Sequence, residues 1–391
     1  MKRIILLFAL LIGSALAAGA ANIMYGPWVH NVSETGFTLI WIGQEPSLDY
    51  VEIAPVDGTS FETCARPRYY ESRFGKRVTG TFHHVRIDGL QPGTAYRYRI
   101  IGKVVKDDSN AYRSVYGPER RVFGNVKKGQ REYSIRTLDS RADTCRFSIL
   151  NDIHFDDKRF TTLASPIDPA KTDFLVLNGD IASYAVSIDT VIKHSIAPIA
   201  EQVSRIPTIF VRGNHEGRGR DANKVYDLYP TSTGEFYYSF RQGPAAFIVL
   251  DGGEDKPDNS CEYSGMADYD NYRAQELAWL KKAVKDPSFT SAPIKICLIH
   301  VPTFSRKGAW YGEQWMSKNF TPVLSEAGID LMLSAHYHQY KVQDAGVDGI
   351  GYPIVINSNT ERMDVVITAK GIELNTYDEQ GQLQHNWSKS K

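Results

Sequence analysis

What most constrains this chain is a series of five short apolar runs, each of strand length and each ending in side chains that can bind a metal ion. Run 147–150 ends in Asn151-Asp152-Ile153-His154, run 174–177 in Asn178-Gly179-Asp180, and run 208–211 in Arg212-Gly213-Asn214-His215-Glu216. Run 294–299 ends at His300, and run 331–333 is followed by Ser334-Ala335-His336-Tyr337-His338. In an extended segment alternate side chains share a face, which predicts that Asp152 and His154 leave their strand end in the same direction. A single Asp-x-His pair turns up by chance in many surface loops. Five such endings in order predict strand ends that gather carboxylates, imidazoles and an amide into one site. Two neighbouring cations repel, so such a pair needs a carboxylate between them and imidazole, carboxylate and amide oxygen around them. The glycines let the backbone turn sharply beside the cations.

The 391 residues allow two domains, each large enough to bury a core. With 45 basic and 45 acidic residues the formal net charge is zero, so no global field draws the chain to nucleic acid or membranes. Met1-Lys2-Arg3, a short apolar stretch over 4–12 and the small residues Ala15-Leu16-Ala17 predict a secretory signal peptide over residues 1–21. The stretch is shorter than a membrane span and no second run of spanning length follows, which predicts a secreted or periplasmic protein with no stable membrane insertion. Of Cys64, Cys145, Cys261 and Cys297, the last lies inside an apolar strand and is expected as a buried free thiol. The disulfide pairing stays open, and no cysteine shows zinc-site spacing.

Residues 22–140 read as short alternating strands, at 37–41, 50–53, 84–90, 96–100 and 134–137, separated by turn residues. The stretch Leu90-Gln91-Pro92-Gly93-Thr94-Ala95-Tyr96-Arg97-Tyr98 resembles the end of a fibronectin type III module, a small all-β sandwich. The charged residues 139–143 make a linker. Beyond it, the spacing predicts helices over 190–204 and 271–285, the second with Ala274, Leu277, Ala278, Leu280, Lys281 and Val284 toward the core. Strands at 246–250, 352–356 and 363–368 and a closing hairpin over 371–386 complete residues 141–391.

The five endings, Asp-x-His, Gly-Asp, Gly-Asn-His-Glu, His and His-x-His, resemble the calcineurin-like metallophosphoesterase superfamily over about 145–370. The resemblance implies an α/β four-layer domain, two mixed sheets packed face to face with helices outside. It also implies two divalent or mixed-valence metal ions, iron, manganese or zinc. One would take Asp152, His154, Asp180 and His338, and the other Asp180, Asn214, His300 and His336, with Asp180 as the bridge. His215 occupies the position that resembles the family's catalytic histidine, stabilising charge or protonating the departing oxygen. A hydroxide held between the metals would attack phosphorus in line, with no covalent intermediate.

A sandwich followed by such a domain is the layout of the purple acid phosphatases, which the chain resembles over most of its mature length. It departs from them in carrying His154 where they carry glycine, and Tyr184 four residues after Asp180 rather than three. Ala335 also stands where glycine is usual before His-x-His. The departures imply a colourless protein in which His154 replaces the tyrosinate ligand and Tyr184 packs or binds substrate.

Arg218 and Arg220 are candidates to hold substrate phosphate, against a solvated loop. The segment 304–315, with Arg306, Lys307, Trp310, Tyr311 and Trp315, offers either an aromatic substrate pocket or packing against the first domain. His30, His83, His84, His194 and His385 are expected as ordinary histidines, and Tyr226, Tyr229, Tyr237 and Tyr238 as structural. The sequence therefore predicts an exported phosphomonoesterase acting on a small-molecule phosphate ester. A phosphodiesterase or nucleotide-pyrophosphate hydrolase on the same centre stays open. So does a surface glycan- or protein-binding protein, docking through its first domain, with a vestigial metal site.

Overall fold

The computed structural model describes residues 22–124, 132–304 and 308–391. The expected signal peptide, Arg306 and Lys307 lie outside the described residues. Among the described residues, no helix is long and apolar enough to cross a membrane.

The N-terminal part is an eight-stranded antiparallel β-structure organised by one 20-residue strand, Gly36–Pro55. The two strands expected at 37–41 and 50–53 are parts of this one element. Its first half pairs with Ile23–His30 and Gly80–Asp88, its second with Ala95–Asp107 and Arg68–Tyr70. The register shifts between Ile42 and Ser47, where an irregularity lets the strand bend and exchange partners.

Two six-stranded sheets follow. The first runs in the order Thr208–Val211, Phe174–Asn178, Thr144–Leu150, Arg362–Thr368, Gly371–Tyr377, Leu383–Ser390. The second runs Tyr238–Gln242, Ala245–Val249, Ile294–Leu298, Leu331–Ser334, Ile354–Ile356, Lys341–Gln343. Three motif strands are parallel neighbours in the first sheet, and the other two are parallel neighbours in the second. Both faces of these strands are buried, which is why they read as continuous apolar runs. Phe147, Val176 and Ile209 share an inner core with Phe247, Ile296 and Leu333 from the opposite sheet. Leu175 and Phe210 face outward onto Phe160 and Ile192, while Cys297 and Met332 face Leu280 and Phe320. The expected closing hairpin is present as Gly371–Tyr377 and Leu383–Ser390.

Two helical expectations are corrected. The helix expected over 190–204 is broken into Ile188–Ser195 and Ala200–Val203 by a turn holding Pro198, which has no amide hydrogen to continue the ladder. The helix Tyr269–Ala283 is present, but Ala274, Ala278 and Lys281 are exposed and its buried residues are Arg273, Glu276 and Leu280. That polar face is inward because it braces the 251–254 loop. Glu276 accepts hydrogen bonds from the amides of Asp251 (2.7 Å) and Gly252 (2.9 Å), and Arg273 donates to the Gly252 carbonyl. All four cysteines are free thiols, with Cys145 and Cys297 buried.

The N-terminal strands are packed into the sheets behind them. Val29, Tyr98 and Ile135 belong to the same apolar cluster as Phe147 and Phe247, and Trp28 and Ile40 join that of Leu175. Polar contacts cross as well: Trp28 Nε1 donates to the Leu228 carbonyl at 2.8 Å and Tyr98 Oη to the Ser204 carbonyl at 2.7 Å.

Candidate metal centre

The carboxyl ends of the five motif strands meet where the two sheets come together. The first two loops are joined by backbone hydrogen bonds: Asp152 N to Gly179 O at 3.0 Å, His154 N to Asp180 O at 2.9 Å, and Phe155 N to Ile181 O at 3.1 Å. In the second sheet, Ala335 N donates to His300 O at 2.9 Å and joins the last two loops. Asp152 and His154 do not converge by strand alternation, as the sequence predicts. The strand Thr144–Leu150 has ended, and both residues sit at positive φ, 50° each. Asp180 (52°), His336 (75°) and His338 (58°) share that left-handed conformation, which non-glycine residues rarely adopt and which marks sites where strain is held for function.

Each candidate carboxylate has one oxygen pinned and the other turned inward. Asp152 Oδ2 accepts from Asn151 Nδ2 (2.8 Å) and His336 N (3.1 Å), while its Oδ1 lies 3.3 Å from His338 Nε2 and 3.8 Å from His300 Nε2. Asp180 Oδ1 accepts from His215 N at 2.9 Å. Its Oδ2 lies 3.2 Å from His300 Nε2, 3.8 Å from His154 Nε2 and 4.0 Å from His215 Nε2. Donor atoms of Asp152, His154 and His338 lie within 4.8 Å of one another, as do those of Asp180, His300 and His336, and those of His154, Asp180 and His215. The first two groups follow the division expected from the sequence. The third adds His215 as a neighbour of the bridge, its ring 4.7 Å from that of His154.

Buried polar atoms ordinarily have partners, because leaving one unpaired costs about 1–3 kcal/mol. Here Asp152 Oδ1, Asn214 Oδ1 and His300 Nε2 are all buried without a hydrogen bond. Asn214 is thus presented as an oxygen donor, and the donor set fits metal ions. The orientation of His300 suits this, since Nδ1–H donates to the Asn178 carbonyl at 2.8 Å and so turns Nε2 toward the centre.

The charges reflect the crowding. Burial opposes charge on Asp180, but the charges of His300 and His215 and the hydrogen bond from the His215 amide hold its carboxyl below the usual range. Burial likewise works against protonation of His300, and the Asp180 and Asp152 carboxylates overcome it, raising His300 to about 10. Burial and the neighbouring His300 push His336 down to about 4.

Two further carboxylates, Glu216 and Glu313, brace the candidate ligands. Glu216, 1% exposed, accepts from the amides of Asp180 (3.0 Å), Ala182 (2.9 Å) and Gly213 (2.9 Å), clamping two ligand loops together. The only signal for it was its place in the third motif. Gly213 is obligatory here, because a Cβ would collide with Asp180 and come within 2.8 Å of Glu216 Oε2. Glu313, wholly buried in the helix Tyr311–Glu326, accepts from Tyr337 Oη at 2.6 Å and lies 3.8 Å from His336 Nε2. Nothing in the sequence marked it.

The rim residues separate. Arg218 is not in a solvated loop. It is 8% exposed, forks onto Glu254 with two bonds of 2.7 Å, reaches Asp255 at 3.1 Å, and places Nη1 3.2 Å from His215 Nε2. Arg220 is exposed and donates to the Val186 carbonyl. Tyr184, half-exposed, lies with its ring 5.4 Å from that of His215. Trp310 and Tyr311 are half-exposed and contact Lys256, Asp270 and Arg273. None of these contacts is with the first domain. The Trp310 amide donates to Glu313, which links this segment back to His336. His30, His83, His84, His194 and His385 lie outside the centre in ordinary contacts, for example His194 on Asp157 at 2.9 Å and His385 stacked on Tyr340.

Comparison with known proteins gives the family and the fold. Residues 145–340 match the family model described as calcineurin-like phosphoesterase. The chain is similar to purple acid phosphatase 15 of Arabidopsis thaliana, at 23% identity over 331 residues covering 75% of this chain and 53% of that protein. It is similar also to purple acid phosphatase 23 of the same plant, at 24% identity, covering 74% of this chain and 65% of that protein. The chain thus spans between about half and two thirds of the length of these curated relatives. Among solved structures it shares its fold with purple acid phosphatase PPD1 from yellow lupin (Lupinus luteus) seeds, with a TM-score of 0.67 and 13% identity, covering 95% of this chain and 74% of that one.

Proposed function

This chain belongs to the calcineurin-like phosphoesterase family, and from that membership we propose that it is an exported phosphoesterase with a dinuclear metal centre, hydrolysing phosphomonoesters. The observation that carries the proposal is the set of buried donor atoms, Asp152 Oδ1, Asn214 Oδ1 and His300 Nε2, that lack any hydrogen bond and face one another's neighbours at the strand ends. Asp152, His154, Asp180 and His338 would hold one ion, and Asp180, Asn214, His300 and His336 the other. Bound there, iron, manganese or zinc would supply Lewis acidity toward phosphoryl oxygens and acidify water.

The chain's own groups do the rest. His215, its Nδ1–H fixed on the Ser183 carbonyl at 2.7 Å, presents Nε2 beside Asp180 to steady or protonate the departing oxygen. Arg218 aims one guanidinium nitrogen at the same place while Glu254 and Asp255 hold its other two, so it orients His215 as well as adding positive charge there. His154 would stand in for the tyrosinate ligand, and the protein should be colourless. Tyr184, Trp310 and Tyr311 would line the approach for the ester's organic part. Residues 22–140 are proposed as a fibronectin type III-like sandwich and 141–391 as the catalytic domain.

The test is turnover of an aryl phosphate monoester beside its diester, with protein reconstituted with manganese, iron or zinc and an Asp180→Asn control. Monoester turnover that drops at least about a hundredfold in the control supports the proposal. Preference for the diester would move the assignment to a phosphodiesterase. Absence of both turnover and retained metal would leave a binding protein in its place.

A further inference from the structure

Far from the metal centre in sequence, the N-terminal region carries a hairpin made of Ser72–Arg73 and Lys76–Arg77, paired Ser72 with Arg77 and Arg73 with Lys76. Its two-residue tip is Phe74-Gly75, with φ of 51° and 81°. Positive φ at both positions is what a type I′ turn demands, and Asn-Gly or Asp-Gly satisfies it without strain. A phenylalanine there is a steric outlier, and its ring is fully exposed to water. The turn therefore gains nothing from Phe74 in folding, and such an outlier points to use of the side chain.

The surroundings say what use. Arg73, Lys76 and Arg77 flank the ring, all exposed, with Arg77 lying 3.7 Å over Tyr70 and Arg73 paired to Glu71 at 3.1 Å. A second group stands at the same end of the region. Ser47 of the long strand is partnered by Gly80, just past the hairpin, and by Val104 on its other side. Beyond Val104 the chain returns through Tyr112 and Arg113 to the short strand Val115–Tyr116, pairing Val105 with Tyr116. Tyr112 is almost completely exposed, Val115 and Tyr116 partly so, and Thr79 Oγ1 joins Tyr116 Oη at 2.9 Å. Lys106 and Arg113 are exposed here too. The acids of this end are Glu45, exposed two residues before Ser47, and Glu71, Asp107 and Asp108. Glu71 is held by Arg73 and the His84 amide, and Asp107 and Asp108 by Ser109 and Ser114. Positive charge is in excess on the hairpin itself, where Arg73, Lys76 and Arg77 surround Phe74 and Glu71 is the one acid between 71 and 77.

We infer that this end of the N-terminal region docks on an anionic lipid surface, Phe74 entering the boundary between headgroups and acyl chains and Arg73, Lys76 and Arg77 meeting the headgroup charge. A phenyl ring gains where it leaves water, and the basic side chains around this one match a surface that sets negative charge over an apolar layer. Tyrosines with a polar tip suit the interfacial layer beside it. Three basic residues around one apolar anchor give attachment that is reversible and weakened by salt.

The experiment is sedimentation of the purified full-length protein with vesicles of phosphatidylcholine alone and of phosphatidylcholine mixed with phosphatidylglycerol. Partition onto the mixed vesicles, decreasing as salt is added, is the expected result. Phe74→Asn, which suits the turn better, should keep or raise the melting temperature while weakening partition roughly tenfold. Lys76→Glu with Arg77→Glu should weaken it by more than about tenfold. Phosphate-ester turnover should be the same in all three proteins, so failure of the catalytic reading and failure of this one are separate results. Wild-type protein that stays in solution with the mixed vesicles, or Phe74→Asn that binds as well as wild type, overturns the inference. Phe74-dependent retention on a soluble acidic polysaccharide without vesicle binding would overturn the lipid assignment as well.

Discussion

At the scale of single residues the site is governed by side chains that touch no substrate. Glu216 satisfies three amides from two loops with one carboxylate, so changing it to glutamine replaces an acceptor oxygen with an NH2 group that must face an N–H. Glu216→Gln should lose about 1–3 kcal/mol of stability and lower metal affinity by roughly 10–100-fold, because Asp180 and Asn214 are no longer held in one geometry. Urea denaturation and metal content after gel filtration measure the two effects. Unchanged metal content would show that the loops hold themselves and that Glu216 is merely a buried carboxylate. That Asp152, His154, Asp180, His300, His336 and His338 come together was legible in the sequence, because metal-binding side chains are few and their order is informative. Glu313 and Glu254 were not, since a carboxylate on a helix or loop acquires its role only from what the fold sets beside it.

At the scale of elements, apolar runs gave the five strands correctly, while the turns beyond them followed rules that side-chain pattern does not carry. Left-handed Asp152, His154, Asp180, His336 and His338 have no glycine to announce them, and Pro198 broke a helix whose polar spacing looked continuous. The strand Ile23–His30 shows how an element outside the site supports one within it. His30 Nδ1 meets Thr208 Oγ1 at 3.1 Å, and Thr208 opens the edge strand that leads to Asn214. Burial pushes His30 down to about 3, the Thr208 backbone contact opposing it only in part. The unfolded chain binds a proton near pH 6.5 that the folded chain refuses, so this residue's contribution is complete above that pH and is lost progressively as pH falls toward 3. The loss is at most ~5 kcal/mol. His30→Gln should flatten the decline of the urea midpoint between pH 6.5 and 4 relative to wild type. Parallel declines in the two proteins would place the acid sensitivity elsewhere.

At the scale of the whole molecule, the question is whether the N-terminal strands are a detachable module or part of the body that holds the site. The charged residues 139–143 suggest a boundary in the sequence, with a separate module before it. The packing argues otherwise, since interfaces between independent domains are small and polar. Here Val29, Tyr98 and Ile135 share a core with Phe147 and Phe247, and Trp28 and Ile40 share one with Leu175 and Phe210. Sequence periodicity shows which face of a strand is apolar but not which sheet will cover it, so this fusion could not be read in advance. A chain of residues 141–391 should therefore expose a contiguous apolar surface along the 208–211 edge strand and aggregate. Any soluble fraction should bind metal more weakly than the full chain, because Asn214 follows that strand. Light scattering and metal content of the fragment test this directly. A monomeric fragment with full metal occupancy would show that the sheets fold without the strands in front of them. The N-terminal region would then act only as the docking surface.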